Sequence, residues 1–188
     1  MRIVGGKWKK RKLECSFSLK NQGLIRPTAD RVKESIFNIV ENLSTGNPLK
    51  GARVLDLFCG TGAIGLEALS RGAQFCHFFD NSREAKRLTQ ENVRKLGAED
   101  DSLFSMINIL NLSQNMGRVN DLVFLDPPYG KNMGFKTISI LQKNGWVNEN
   151  TTFILEKEVK DHFNSSLTIV DQRIYGGTEI NILRYGQI

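Results

Sequence analysis

Metal-binding and cross-linking side chains are scarce in this sequence: it has three cysteines and two histidines in 188 residues. The odd count and wide spacing of Cys15, Cys59 and Cys76 match neither a disulfide framework nor a zinc-ligand pattern. Reduced thiols and no metal site are therefore expected. His77 and His162 are solitary and read as structural residues. Long apolar runs are missing as well; none approaches the ~20 residues of a membrane span. No apolar core follows the basic N-terminus, so export is not expected either, and no internal repeat or low-complexity segment is present. What remains, 40% hydrophobic and 24% charged, is the composition of an ordinary one-domain globular protein of the cytoplasm.

The most informative stretch is Val54 to Gly65, VLDLFCGTGAIG. An apolar run (Val54, Leu55, Leu57, Phe58) breaks at Cys59-Gly60-Thr61-Gly62 and resumes with helical spacing through Ile64, Leu66, Ala68 and Leu69. This predicts a buried strand, a glycine turn and a helix start. Glycines there allow positive φ and close approach of a ligand to the main chain, and the free N–H groups of the helix start face the turn. Gly60, Gly62 and Gly65 satisfy the dinucleotide pattern G-x-G-x-x-G, with Asp80 about where a ribose-binding acid belongs. Asp56 stands against a dinucleotide, because its carboxylate would repel a pyrophosphate. It would attract S-adenosylmethionine, which carries an ammonium and a sulfonium and no phosphate. A turn that merely joins strand to helix is the plain alternative, so a second motif is needed.

Asp126-Pro127-Pro128-Tyr129 supplies one, directly after the apolar run Leu122-Val123-Phe124-Leu125. Prolines cannot donate to a sheet ladder, so a strand must end here in a stiffened loop. In α/β sheets, ligands bind at the carboxyl ends of strands. Methylating an exocyclic base amine requires localising a lone pair that is delocalised into the ring. A carboxylate and a backbone carbonyl that accept the amine hydrogens favour that change. Asp126, the Pro127 carbonyl and a stacking ring at Tyr129 are those parts, carried on the rigid Pro127-Pro128 pair.

Positive charge is concentrated at one end. Residues 1–33 hold ten Lys and Arg against Glu14 and Asp30, a net +8, whereas the whole chain is +6. Such clustering is the electrostatic footprint of phosphate binding. Trp8 lies among Lys7, Lys9, Lys10, Arg11 and Lys12, where a base could stack beside phosphate contacts; Arg26 completes the basic set. Arg2 to Gly6 and Lys12 to Phe17 resemble short strands around a glycine turn. Residues 1–27 are thus expected to form a basic hairpin arm that grips RNA, and 28–188 the catalytic domain. Thr28 reads as the N-cap of a helix with Val32, Ile36, Phe37 and Val40 on one face.

Further along, Phe75–Phe79 reads as a strand ending at Asp80-Asn81, where Asp80 could accept from ribose hydroxyls and either Ser82 or Asp80 could cap the next helix. That helix, with Leu88, Val93 and Leu96 inward, runs to about Leu96. A weak strand, Leu103–Ile107, ends at Asn108-Ile109, which could read an adenine edge or form an ordinary loop. Phe135–Gln142 reads as a helix, Phe153–Glu156 as a strand, and Leu167–Ile174 with Glu179–Tyr185 as a closing hairpin. The alternation predicts a doubly wound α/β sheet, Rossmann-like, with an antiparallel edge.

The two central motifs together resemble class I S-adenosylmethionine-dependent methyltransferases acting on exocyclic amines. More narrowly, Arg2-Ile3-Val4-Gly5-Gly6-Lys7, Arg11-Lys12-Leu13, Arg26-Pro27-Thr28 and residues 30–38 (DRVKESIFN) resemble the RsmD family, bacterial 16S ribosomal RNA guanine-N2 methyltransferases. The resemblance covers almost the whole chain. It implies a seven-stranded sheet, a guanine of 16S RNA as substrate, and action as a monomer on partly assembled small subunits. By position, Asp56, Phe58, Gly60, Thr61 and Gly62 would hold the methionine half of the cofactor. Asp80 and Asn81 would meet the ribose, Asn108 and Ile109 the adenine, and Asp126 to Tyr129 the target base. Position 108 is expected to be Asp, and position 80 Glu, more often in that family. Methyltransferases of DNA adenine N6 or protein glutamine use similar proline motifs and remain alternatives on the motif chemistry alone.

Overall fold

The computed structural model describes residues 1–15, 27–44, 46–128, 133–159 and 167–186, the side chains of 27–29 excepted. Seven strands form one sheet: β1 (Arg53–Leu57), β2 (Phe75–Asp80), β3 (Ser102–Met106), β4 (Leu122–Leu125), β5 (Thr152–Glu158), β6 (Leu167–Tyr175) and β7 (Thr178–Tyr185). Their order across the sheet is β3-β2-β1-β4-β5-β7-β6. β1 to β5 run parallel, and β7 lies antiparallel between β5 and β6. This is the doubly wound sheet with a closing hairpin that the alternation predicted.

Among the described residues, four helices pack on it: α1 (Pro27–Glu41), α2 (Ala63–Ser70), α3 (Arg83–Leu96) and α4 (Met133–Lys143). Parallel strands buried on both faces read as unbroken apolar runs, and the two faces fill two cores. Val54, Cys76, Phe78, Leu122, Phe124 and Ile154 join Phe37, Leu66 and Leu69 under α1, α2 and α3. Their alternates Leu55, Leu57, Val123, Leu125 and Phe153 join Ile138 and Leu141 under α4.

Of the expected arm, residues 16–26, including the end of the strand expected over Lys12 to Phe17, lie outside the described residues. Among the described residues its cross-strand pairing is one bridge, Arg2 to Lys12, beside the bonds Ile3 N–H to Arg11 O (2.9 Å) and Lys10 N–H to Ile3 O (2.9 Å). Between the limbs, Gly6–Trp8 forms a 3-10 turn. The segment is held by the helices beneath it instead of by its own ladder. Ile3 and Leu13 are buried in the core under α2 and α3. The Glu67 carboxylate, fully buried, accepts from the N–H groups of Val4 (2.8 Å) and Gly5 (2.7 Å). The same carboxylate pairs with Lys33 (3.3 Å) and Arg71 (2.8 Å). Thr28 does not occupy a cap: Pro27 opens α1 and places Thr28 inside the first turn, where a proline's missing N–H and fixed φ are tolerated.

Candidate active site

The strand order reverses between β1 and β4, and at such a switch point the loops leave a crevice at the carboxyl ends. Both motifs open into it, because Leu57 and Leu125, the last residues of the two strands, are paired neighbours. A cavity of about 660 Å³ lies there. It is lined by Phe58, Asp80, Asn81, Asn108, Ile109, Asp126, Pro127 and Pro128 from the expected set, and by Phe79, Ile107, Leu110 and Met133. The last four were missed. Ile107 and Phe79 each precede an expected polar contact in the chain, whereas nothing in the local pattern distinguishes Met133 or Leu110 from core positions.

The turn after β1 is tightly wound: Phe58, Gly60 and Gly62 all have positive φ, at 62°, 54° and 74°. For Phe58 this conformation is strained by roughly 1–2 kcal/mol, and its ring borders the cavity. The surroundings hold the turn by its main chain. Cys59 N–H donates to Phe79 O (3.1 Å), Gly60 N–H to the Asp80 carboxylate (3.0 Å), and Thr89 Oγ1 to Gly60 O (3.0 Å). Asn92 Nδ2 donates to Thr61 O (2.9 Å). The three glycines have different reasons. A Cβ on Gly60 would meet no atom within 4 Å, so its requirement is φ alone. On Gly62 it would come within 2.9 Å of Thr89, and on Gly65 within 2.4 Å of Cys76 and Phe78. The third glycine therefore serves close packing of α2 on β2.

Asp56 lies beneath the start of α2, 4% exposed, and its Oδ2 accepts the Gly65 N–H (2.9 Å). Burial pushes its carboxyl up to about 7, with Asp80 adding to the rise and the Gly65 bond opposing it. The helix-start donor that a pyrophosphate would use is thus already taken by a carboxylate. Asp80 bridges two elements: besides Gly60, it accepts from Ser82 N–H (2.9 Å). The cap of α3 is Ser82, whose Oγ accepts from Ala85 N–H (3.3 Å), so of the two roles weighed for Asp80 the helix cap falls to its neighbour. Asn108 turns its side-chain oxygen to Leu110 N–H (3.1 Å) and so caps the short turn Ile109–Asn111. Ile109 is buried.

Across the cavity, Asp126 is open to solvent on the cavity side and crowded by protein elsewhere. That enclosure, with Glu156 and Asp56 nearby, raises its carboxyl above the ordinary range. Pro127 is buried and Pro128 exposed; Tyr129 lies outside the described residues, as do Arg26 and His162. Asp80 and Asp126 thus line one opening, which suits a cationic ligand, whereas Asp56, close enough to raise the Asp126 carboxyl, is buried and is not among the lining residues.

The basic cluster is elsewhere. Lys7 Nζ is 3.9 Å from Asp101, the residue before β3, and a Cβ on Gly6 would strike the Ser70 carbonyl at the end of α2. The tip of the segment thus sits at the amino ends of the parallel strands, one helix length, about 12 Å, from the glycine turn. Lys7, Lys9, Lys10, Arg11 and Lys12 are exposed there. Trp8 is half-buried against the core, and Lys7 lies 4.3 Å over its ring, so packing occupies much of the surface expected for base stacking.

A family model described as conserved hypothetical protein 95 matches residues 1–184. The chain is 34% identical over 161 residues to ribosomal RNA small subunit methyltransferase D of Escherichia coli (strain K12), covering 86% of this chain and 76% of that protein. The Haemophilus influenzae protein of the same name is 34% identical over 162 residues, 84% of this chain and 79% of that one. Among solved structures, a putative methyltransferase, yhhF, from Escherichia coli superposes with a TM-score of 0.83 at 29% identity, covering 100% of this chain and 99% of that chain.

Proposed function

The chain belongs to the RsmD family, and from that premise and the shape of the cavity we propose that it transfers a methyl group from S-adenosylmethionine to the exocyclic N2 amine of a guanine in 16S ribosomal RNA. The observation that carries this reading is that Phe58, at the start of the glycine turn, and Asp126-Pro127-Pro128 line one cavity between β1 and β4.

The residues fit the cofactor. Gly60 leaves open space on its turn, Asp56 and Asp80 offer negative charge to an ammonium and to ribose hydroxyls, and Phe58, Ile107 and Ile109 offer apolar surface to an adenine. When bound, S-adenosylmethionine supplies an electrophilic methyl group on a sulfonium. On the opposite wall, the Asp126 carboxylate and the Pro127 carbonyl accept the two hydrogens of the target amine and localise its lone pair. The nitrogen gains a methyl group and loses one proton, and Asp126, with its raised affinity for protons, receives it. Orientation and electrostatics then account for most of the acceleration. A guanine whose amine is already paired must be unpaired or flipped to reach Asp126.

The dinucleotide reading loses ground because the Gly65 N–H is engaged by Asp56. Residues 1–27 serve as the RNA-gripping part, and phosphates of a folded RNA, at some distance from the target base, meet Lys7 to Lys12. Incubation with labelled S-adenosylmethionine and unmethylated 16S RNA, naked or in partly assembled small subunits, followed by nucleoside analysis, tests the proposal. N2-methylguanosine is the expected product. Label found only in methyladenosine, or only in protein, overturns it.

A further inference from the structure

Asn92 stands on α3 with no exposed surface, in a place where helical periodicity alone would put an apolar residue. A buried amide is tolerated only when its donors and acceptor are paired, and the pairing here is specific. Its oxygen accepts the Glu14 N–H (2.7 Å). Its nitrogen donates to Glu14 O (3.1 Å) and to Thr61 O (2.9 Å). Towards Glu14 it acts as a neighbouring strand would, engaging both main-chain groups of one residue. Towards the cofactor cavity it holds the glycine turn by a carbonyl. Thr89, one turn earlier on the same face, bonds within the turn, to Gly60 O and Cys59 Sγ. On the far side, Thr61 Oγ1 donates to Met1 Sδ (3.3 Å), so both limbs of the N-terminal segment meet the glycine turn.

We infer that Asn92 is a positioning residue that links occupancy of the cofactor turn to the placement of the N-terminal segment, so that cofactor and RNA each raise the other's affinity. The inference rests on the function proposed above. Its physical content is that a shift of the Thr61 carbonyl on ligand binding changes the bonds that fix Glu14, and linkage makes the effect reciprocal. The exposed pair Lys95–Glu14 (2.7 Å) grips the same limb without touching the turn and provides the control.

The test is calorimetric affinity for S-adenosylmethionine with and without unmethylated 16S RNA. The wild-type protein should bind the cofactor at least about fivefold more tightly with RNA present. Asn92→Asp keeps the shape and loses both donated bonds, so the ratio should fall below about twofold; Lys95→Ala should keep it. An unchanged ratio in Asn92→Asp, or no coupling in the wild type, overturns the inference. A second measurement needs no variant. Hydrogen exchange at the Glu14 amide should slow severalfold on addition of S-adenosylmethionine alone, and unchanged exchange counts against the link. If Glu14 is protected but no guanine is methylated, the function fails and the link stands; methylation without protection sinks the link alone.

Discussion

Affinity for S-adenosylmethionine should rise about tenfold per pH unit between about pH 5 and pH 7. The group responsible is Asp56, whose carboxyl is pushed up to about 7 by burial against an ordinary value near 3.9. A cationic ligand prefers the ionised form, so below about pH 7 each proton bound to Asp56 competes with it. If the bound ammonium returns the carboxyl to its ordinary range, three pKa units correspond to about 4 kcal/mol of affinity, fully present only above about pH 7. The ligand's own amino group stays protonated across this window. Linkage fixes the sign for the free protein as well. A carboxyl whose folded pKa is raised binds more protons folded than unfolded, so its stability contribution is complete below about pH 4 and is lost as pH rises through about 7. Thermal melting should therefore show opposite trends: the ligand-free Tm falls over this window while the ligand-induced increase grows. Asp126, raised for similar reasons, adds to the ligand-free trend, so Asp56→Asn lessens that trend but flattens the ligand's pH dependence. A flat affinity profile in the wild type, or an undiminished slope in Asp56→Asn, refutes the reasoning.

Asp126→Ala should lower methyl transfer by 100-fold or more, the order associated with loss of one oriented transition-state contact, while S-adenosylmethionine affinity stays within about threefold; single-turnover rates and calorimetry read the two separately. Glu67→Gln leaves Lys33 without its buried counter-charge and Arg71 with Glu41 still beside it, and should cost about 3–5 kcal/mol in urea denaturation, with exchange at Val4 and Gly5 accelerating. Neutralising Lys9, Lys10 and Arg11 together should reduce the slope of log affinity for RNA against log salt by about 2–3 without changing transfer at saturating RNA; an unchanged slope removes the tip from the interface.

The sheet and much of the cavity lining were legible where local pattern leaves few choices. Leu122–Leu125 reads as a buried strand because a parallel strand has no polar face, and Asp126-Pro127-Pro128 can only follow its end. The glycine turn was legible because positive φ at Gly60 and Gly62 narrows the choice of residue. What stayed hidden depends on partners far along the chain. Asn92 and Lys33 sit among polar helix residues and gave no sign of burial, and Glu67 is the one acid of a largely apolar helix; their partners include the main chain of residues 2, 4, 5, 14 and 61. Trp8 amid lysines read as a free aromatic surface, but docking of Gly5 and Gly6 on the end of α2 draws its ring against the core. Among the described residues of the arm, the helices beneath supply the holding contacts beside the single Arg2–Lys12 bridge.

The order in which the strands lie is not the order in which a ribosome delivers them. β1 gains β2 as a neighbour within about twenty residues of synthesis, but its other edge waits until residue 125 has emerged. In the same way β5 waits for β7, the last strand made, to slide in before β6. A nascent chain stalled before β4 therefore carries the glycine turn beside an open apolar edge, prone to pairing with other chains. The cavity between β1 and β4 becomes whole only when the second half of the sheet has closed against the first.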